Sequence, residues 1–300
     1  MKRTLPALLT LALFFFAALA TYLVRYQTVA NAAPAFKGVL TWHNDNDRTG
    51  RNLSESTLTL KNVNSGTFGK LFILSTDGLV DAEPLYATNL SVGGSTHNAV
   101  FVVSENDTVY AFDADSGSSL WQVTALESGE SPSDNRGCGQ VTPEIGITST
   151  PVIDLSSGPH GTIYLVAMSR DSSGNYHQRL HALDVTTGAE QFGGPMDVAA
   201  QYPGTGDNSQ NGYVIFDPKQ YKERAALLLV DHTIYTTWAS HCDDRPYTGW
   251  IIGYNEATLA QQYVLNVTPN GHEGAIWAAG AGPAADSSGN IYFLDRKSVV

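Results

Sequence analysis

The chain has 300 residues and 42% apolar content, enough for one large or two ordinary domains with a sizeable core, which excludes disorder of the whole. Only 15% of residues are charged, and Asp and Glu outnumber Lys and Arg by 29 to 17, a formal charge of −12. That balance repels nucleic-acid phosphate and excludes it as a partner.

At the N-terminus, Lys2 and Arg3 precede an almost uncharged run from Leu5 to Val24 and the small-residue stretch Ala30-Asn-Ala-Ala33. This is the layout of an export signal. Residues 1–32 are read as a signal peptide cleaved after Ala32 or as an uncleaved anchor, since residues 5–24 are just long enough to span a bilayer. Membrane contact is expected only through that segment, with the rest of the chain periplasmic or extracellular.

Residues 33–67 form an N-terminal lead-in. Asp45 and Asp47 have the flavour of a calcium loop, but Asn52 and Ser54 stand near the place of the bidentate Glu, so a structural turn is the expectation. From Phe68 to Leu294 the chain reads as short apolar runs broken by Gly, Asp, Asn and Ser, with no amphipathic helix.

These runs repeat. Val109-Tyr-Ala-Phe-Asp113-Ala-Asp-Ser-Gly117-Ser-Ser-Leu-Trp121 and Arg179-Leu-His-Ala-Leu-Asp184-Val-Thr-Thr-Gly188-Ala-Glu-Gln-Phe192 both fit Ala-x-Asp-x-x-x-Gly-x-x-x-aromatic, on Ala111 and Ala182. A degenerate third copy runs from Gly253 to Tyr263, with Asn255 for Asp and Leu259 for Gly. Successive anchors Ala111, Ala182 and Gly253 are each 71 residues apart. Apolar strands at Val100, Ile163, Ile234 and Ile291 come first, and Glu83-Pro-Leu-Tyr86, Thr150-Pro-Val-Ile153 and Gly282-Pro-Ala-Ala285 precede three of them. Asp caps the turn, Gly supplies positive φ and the aromatic packs on a neighbour. The fold class is all-β: a β-propeller of four-stranded antiparallel blades, incomplete, with three blades and the start of a fourth.

The docking pattern resembles the tryptophan-docking repeat of quinoprotein alcohol dehydrogenases and their cofactor-free relatives over residues 40 to 294. Thr41-Trp-His-Asn-Asp45-Asn-Asp-Arg-Thr-Gly50 is similar to that family's lead-in. The resemblance implies seven or eight blades, closed by an N-terminal strand for which Lys70–Leu74 is the candidate. It also implies that pyrroloquinoline quinone and calcium are possible cofactors. The abrupt Asp295-Arg-Lys-Ser-Val-Val300 departs from the small residues and Gly implied there, and residues 295–300 are expected to be a non-native tail.

In such a fold function sits on the face where interblade loops meet the loops between second and third strands. Those loops carry Asp81, Ser104–Asp107 and the face candidates Glu83, Glu144, Arg170, His241, Asp243, Asp244, Arg245, Glu273 and Trp277. Glu144 stands alone in an uncharged run and, if buried, would titrate high. Cys138 and Cys242 lie in polar loops of an exported chain and either bridge each other or remain free or differently paired. His177 and His181, four apart on strands, carry little weight as metal ligands. No nucleophile triad, phosphate loop or zinc helix is present. Two functions follow: a binding or scaffold propeller of the cell envelope for a small molecule, glycan or envelope protein, or part of a quinone- and calcium-dependent alcohol or sugar dehydrogenase. The paired adjacent cysteines of many such dehydrogenases are absent.

Overall fold

The computed structural model describes residues 36–296; the expected export segment, residues 1–32, and residues 297–300 of the expected tail lie outside the described residues. Residues 53–59 belong to a separate compact unit from 37–52 and 60–296, which form the unit considered below. No helix among the described residues is long and apolar enough to cross a membrane.

Three antiparallel blades follow in chain order. Blade 1 is Leu85–Val92, Ser95–Val103, Thr108–Asp113 and Ser119–Thr124. Blade 2 is Val152–Asp154, Thr162–Asp171, Tyr176–Asp184 and the short Met196–Asp197, with Glu130–Asp134 pairing the far end of its second strand. In blade 3 the inner strand is split, Tyr221–Glu223 and Leu228–Val230 both pairing Thr233–Ser240, which is followed by Trp250–Asn255 and Gln261–Asn266. Ala284–Ala285 and Ile291–Tyr292 begin a fourth. A small three-stranded insert of Gln201–Pro203, Ser209–Gln210 and Tyr213–Ile215 lies between blades 2 and 3.

The apolar runs of the middle blade are continuous because both of its faces are buried. Ile163, Leu165 and Ala167 join the core shared with blade 1, whereas Tyr164 and Val166 join the core shared with blade 3. The anchors occupy one lattice position: Ala111 faces Phe101, Ala182 faces Tyr164 and Gly253 faces Tyr235 across the central pair of each sheet.

The three hairpins share one hydrogen-bond design. The N–H groups of Gly117, Gly188 and Leu259 donate to the carbonyls of Asp113, Asp184 and Asn255 at 2.8, 2.8 and 2.9 Å. Leu259 keeps the glycine conformation at φ 55° because its side chain, fully buried, joins the core between blades 2 and 3. Docking is equally concrete. Trp121 Nε1 donates to the Val185 carbonyl of the next blade at 3.0 Å, and a Cβ on Gly188 would lie 2.8 Å from the Trp121 ring. Phe192 packs at the margin of the core that contains Leu259, the corresponding turn of blade 3.

The expected closing strand is corrected. Lys70–Leu74 forms no strand; its alternate residues Phe72 and Leu74 lie on blade 1 instead, with Leu74 against the Val102, Tyr110 and Phe112 cluster, while Lys70, Leu71 and Ile73 are exposed. Phe72 sits on Gly117, 3.0 Å from the position of an added Cβ, and so takes the place that Trp121 occupies on Gly188. The strand pairing comes from Gly38–Val39, which adds to the inner strand of blade 1.

The lead-in then continues along the inner edges of every blade. The Leu40 carbonyl accepts from Ile153 N–H at 2.8 Å, Asn46 Nδ2 donates to the Leu229 carbonyl at 2.8 Å, and the Asn46 carbonyl accepts from Ala285 N–H at 2.8 Å. Arg48 donates to the carbonyls of Leu227, Pro283 and Trp42 at 3.1, 2.9 and 3.1 Å. Its burial lowers its pKa to about 10. The Asp45 carboxylate caps the Thr49 N–H at 2.9 Å, a structural role.

Gly188→Ala is expected to cost about 2–4 kcal/mol, from the left-handed backbone plus overpacking against Trp121. Gly193→Ala, at φ 74° with open space around its Cβ position, carries only the backbone cost of about 1–2 kcal/mol. Urea unfolding of both variants measures the difference, which is the docking contact itself.

Candidate functional site

Where the loops between second and third strands meet the interblade loops, the candidate residues separate into two groups. Most are already engaged in ties between elements. Glu83 accepts the His43 N–H at 3.1 Å and its own N–H donates to Thr150 Oγ1 at 2.9 Å. Arg170 donates to Asp134 at 3.2 Å and lies 5.3 Å from the Tyr176 ring centre. Arg245 holds Asp207 by two hydrogen bonds of 2.8 Å, fixing the insert to blade 3. Glu273 pairs with His272 at 3.1 Å, and Asp243 with Arg296 at 3.3 Å. The Asp244 carbonyl accepts from Gln220 and Ser240 at 2.6 and 2.9 Å. Cys138 and Cys242 form a disulfide that joins the loop between blades 1 and 2 to the loop of blade 3, closing 104 residues.

Glu144 is only half-buried and pairs with Asp134 in a two-residue ladder, so it is not the buried acid that its uncharged surroundings pointed to. Glu105, Asp107 and Glu223 are among the buried acids and are the ones whose carboxyls burial raises. Glu105 Oε2 accepts from Gly146 N–H at 2.8 Å and Thr148 Oγ1 at 2.9 Å, while its Oε1 has no partner. Burial raises this carboxyl to about 7 against the lowering effect of those donors and of Lys222. Asp107 has neither oxygen bonded; burial, then repulsion from Glu105, Glu130 and Glu144, drives it well above the carboxylate range. Burial does the same to Glu223, which accepts from Ser149 Oγ at 3.3 Å.

His241 and Trp277 belong to a second group, around side chains that the sequence reading missed: Lys222 in the short strand Tyr221–Glu223 and Arg224 just after it. Lys222 is 2% exposed, its Nζ has no hydrogen-bond partner, and it lies 5.9 Å from the Trp277 ring centre. Burial lowers its pKa to about 8, Glu105 opposes that shift, and Arg224 adds to it. Arg224 Nη1 is also unbonded, in space left by Gly280, whose Cβ would lie 2.7 Å away at φ 93°. His241 Nε2 has no partner either; burial and then the positive charge of Lys222 lower it to about 3, so the ring is neutral.

Between Gly146, Thr148, Gln178, Lys222 and Glu223 there is a cavity with room for about one water. A wider apolar recess is lined by Trp42, Arg48, Ile276, Pro283, Tyr292 and Leu294. Among the described residues no group of three or more His, Cys, Asp or Glu side chains is gathered to hold a metal ion.

The repeat gave no signal for Lys222 and Arg224: Val152 pairs with Tyr164 and Leu228 with Tyr235, so the blade 3 counterpart of the inner strand Val152–Asp154 is Leu228–Val230, and Lys222 and Arg224 precede it.

These shifts give stability a definite pH profile. The folded pKa of Glu105, about 7, lies above its unfolded value, so the folded state holds a proton that the unfolded chain releases. Stability is therefore lost as pH rises from about 4.3 toward that value. Lys222, at about 8, lies below its unfolded value, so stability recovers as pH rises above that value toward about 10.4. In thermal unfolding, Glu105→Gln is expected to remove a loss of stability between about pH 4 and 7 that the unaltered chain shows.

No protein-family model matches the chain, and no curated protein matches it. Among solved structures it is similar to a europium-containing methanol dehydrogenase, at 15% identity and a TM-score of 0.51, over 77% of this chain and 32% of that one. Quinohemoprotein alcohol dehydrogenases from Pseudomonas putida and Comamonas testosteroni follow at 16% and 13% identity and TM-scores of 0.48 and 0.42. Those matches cover 74% and 89% of this chain, and 29% and 46% of theirs. This chain thus spans about a third of the first structure's length, and the likeness shows a shared β-propeller fold.

Proposed function

We propose that this chain is an exported binding propeller of the cell envelope whose loop face takes a small ligand through a carboxylate group. The observation that carries the reading is the buried, unbonded Lys222 ammonium beside the unbonded Arg224 Nη1. Two like charges near each other repel, as the lowering of Lys222 by Arg224 shows, and buried donors without acceptors cost free energy that an anion recovers. The Trp277 ring supplies a flat apolar wall. Export is supported by the N-terminal run and by the Cys138–Cys242 disulfide, a bond typical of oxidising compartments.

The second reading is a part of a quinone- and calcium-dependent dehydrogenase, and the fold shared with a methanol dehydrogenase favours it. Lys222, Arg224 and Trp277 fit the carboxylates and plane of such a quinone. The calcium half of the requirement is unmet among the described residues, where no carboxylate group of the needed size is gathered. Binding without calcium is therefore the preferred reading.

Calorimetric titration and thermal unfolding with acetate, and with pyrroloquinoline quinone with and without calcium, test this. Acetate is expected to saturate, to stabilise by about 2.7 kcal/mol at a hundredfold excess over Kd, and to lose affinity as pH rises through the Lys222 pKa. Lys222→Met is expected to abolish binding. Calcium-dependent quinone binding would establish the second reading, and no binding of any carboxylate would overturn the first.

A further inference from the structure

The three-stranded insert between blades 2 and 3 stands outside the four-stranded pattern of the blades, and it carries a cleft of about 260 Å³ lined by Asn208, Gln210, Ile215, Phe216, Asp217 and Pro218. A short hairpin shapes it. Ser209 and Gln210 pair with Val214 and Tyr213 across Asn211-Gly212, an Asn-Gly turn with φ of 53° and 82°. Paired residues share a face, so Tyr213 lies on the side of Gln210, and Ile215, two residues on, lies there too. Gln210 and Ile215 both line the cleft, so that side is the cleft side. Val214, on the other side, is fully buried in the core shared by blades 2 and 3. Asn208 is drawn into the same wall by its carbonyl, which accepts from Ile215 N–H at 3.2 Å; its φ of 64° is a conformation that asparagine tolerates. Phe216 is held rigid, its ring centre 4.9, 4.9 and 6.0 Å from those of Tyr221, Trp238 and Trp250. The insert itself is pinned to blade 3 by Arg245 on Asp207 and to Pro269 and Gly271 by backbone bonds of 2.8 and 3.0 Å. The walls are therefore preformed.

The polar groups of the cleft define what it can hold. Asn208 Nδ2 is a buried donor without a partner, which costs free energy until an acceptor arrives. Asp217 Oδ1 accepts from Lys219 N–H at 3.0 Å, and Oδ2 is an acceptor that no donor engages. An anion would satisfy the Asn208 amide but be repelled by Asp217, and an ammonium would satisfy Asp217 but leave the amide donor unpaired. A hydroxyl is donor and acceptor at once and serves both. Around these groups lie apolar surfaces, Ile215, the flat Pro218 ring and Phe216, with the Tyr213 ring 42% exposed on the same side of the hairpin. Hydroxyls carried on an apolar ring are the chemistry of a sugar. The volume falls below the drug-sized range of about 300–1,000 Å³, which suits one sugar ring rather than a chain of them.

We propose that the cleft of the insert binds one neutral monosaccharide unit, with Asn208 Nδ2 donating to a sugar hydroxyl and Asp217 Oδ2 accepting from one. Gln210, whose amide both donates and accepts, and the Tyr213 ring complete the contact. The site is distinct from the Lys222 site and shares no lining residue with the small cavity there.

The test is calorimetric titration of the intact chain with glucose, galactose and mannose, and with glucuronate as a negatively charged counterpart. At least one of the neutral sugars is expected to saturate in the millimolar range, and glucuronate to bind more weakly than it. Asn208→Gly keeps the left-handed backbone and removes the amide, and Asp217→Asn keeps the cap on Lys219 N–H and removes the charge; each is expected to weaken sugar binding about tenfold. Acetate is expected to leave sugar affinity unchanged, so that the carboxylate reading and the sugar site stand or fall separately. Absence of saturation by all three neutral sugars overturns the inference, and so does tighter binding of glucuronate, competition by acetate, or binding that both variants leave intact.

Discussion

A four-stranded sheet that is apolar on both faces cannot exist alone in water, and the stacking of such sheets governs everything else in this chain. Blade 2 shows the constraint in full, sending Ile163 and Leu165 to one neighbour and Tyr164 and Val166 to the other. Stacking needs registration as well as greasiness. It comes from an aromatic laid on a glycine of the next blade, Trp121 on Gly188, locked by an indole hydrogen bond to the Val185 carbonyl. The same contact is rebuilt at blade 1, where Phe72 from the segment ahead of the blades lies on Gly117.

Inner strand edges raise a second problem, since their backbone groups must find partners. The lead-in answers it by threading past all four sheets, as a strand on blade 1 and then through Leu40, Asn46 and Arg48. Arg48 suits the task because one guanidinium reaches three carbonyls at once, including Leu227 in blade 3 and Pro283 beside the fourth pair. These bonds commit it to structure, which separates it from Lys222 Nζ and Arg224 Nη1, which have no partner.

The proposed site lies where the inner strand of blade 3 breaks. Tyr221–Glu223 and Leu228–Val230 pair with one strand, and at the discontinuity Lys222 and Glu223 border one small cavity with Gly146, Thr148 and Gln178, Glu223 accepting from Ser149. Buried charge of this kind weakens a fold unless a ligand or a proton compensates it. The disulfide at Cys242, the residue after the neutral His241, fixes the adjoining loop and offsets part of that cost by restraining the unfolded chain.

The sequence alone determined whatever is local or periodic. The hairpin turns follow from Asp, Gly and their spacing, because the capping bonds span only a few residues; Asp-Ser-Ser-Gly-Asn occurs at 171–175 and again at 286–290 with the same set of bonds to its Asp, in loops that differ in place. The 71-residue period likewise dictated stacked blades. Only the tertiary structure decided that Phe72 and Leu74 lie on a blade face while Gly38–Val39 supplies a strand pairing, that Glu144 stays half-buried, and that Lys222 Nζ and Arg224 Nη1 have no partner. Each of those depends on which distant segments arrive beside the residue, and so on a dielectric environment and a set of hydrogen-bond partners that residues far away in the chain supply.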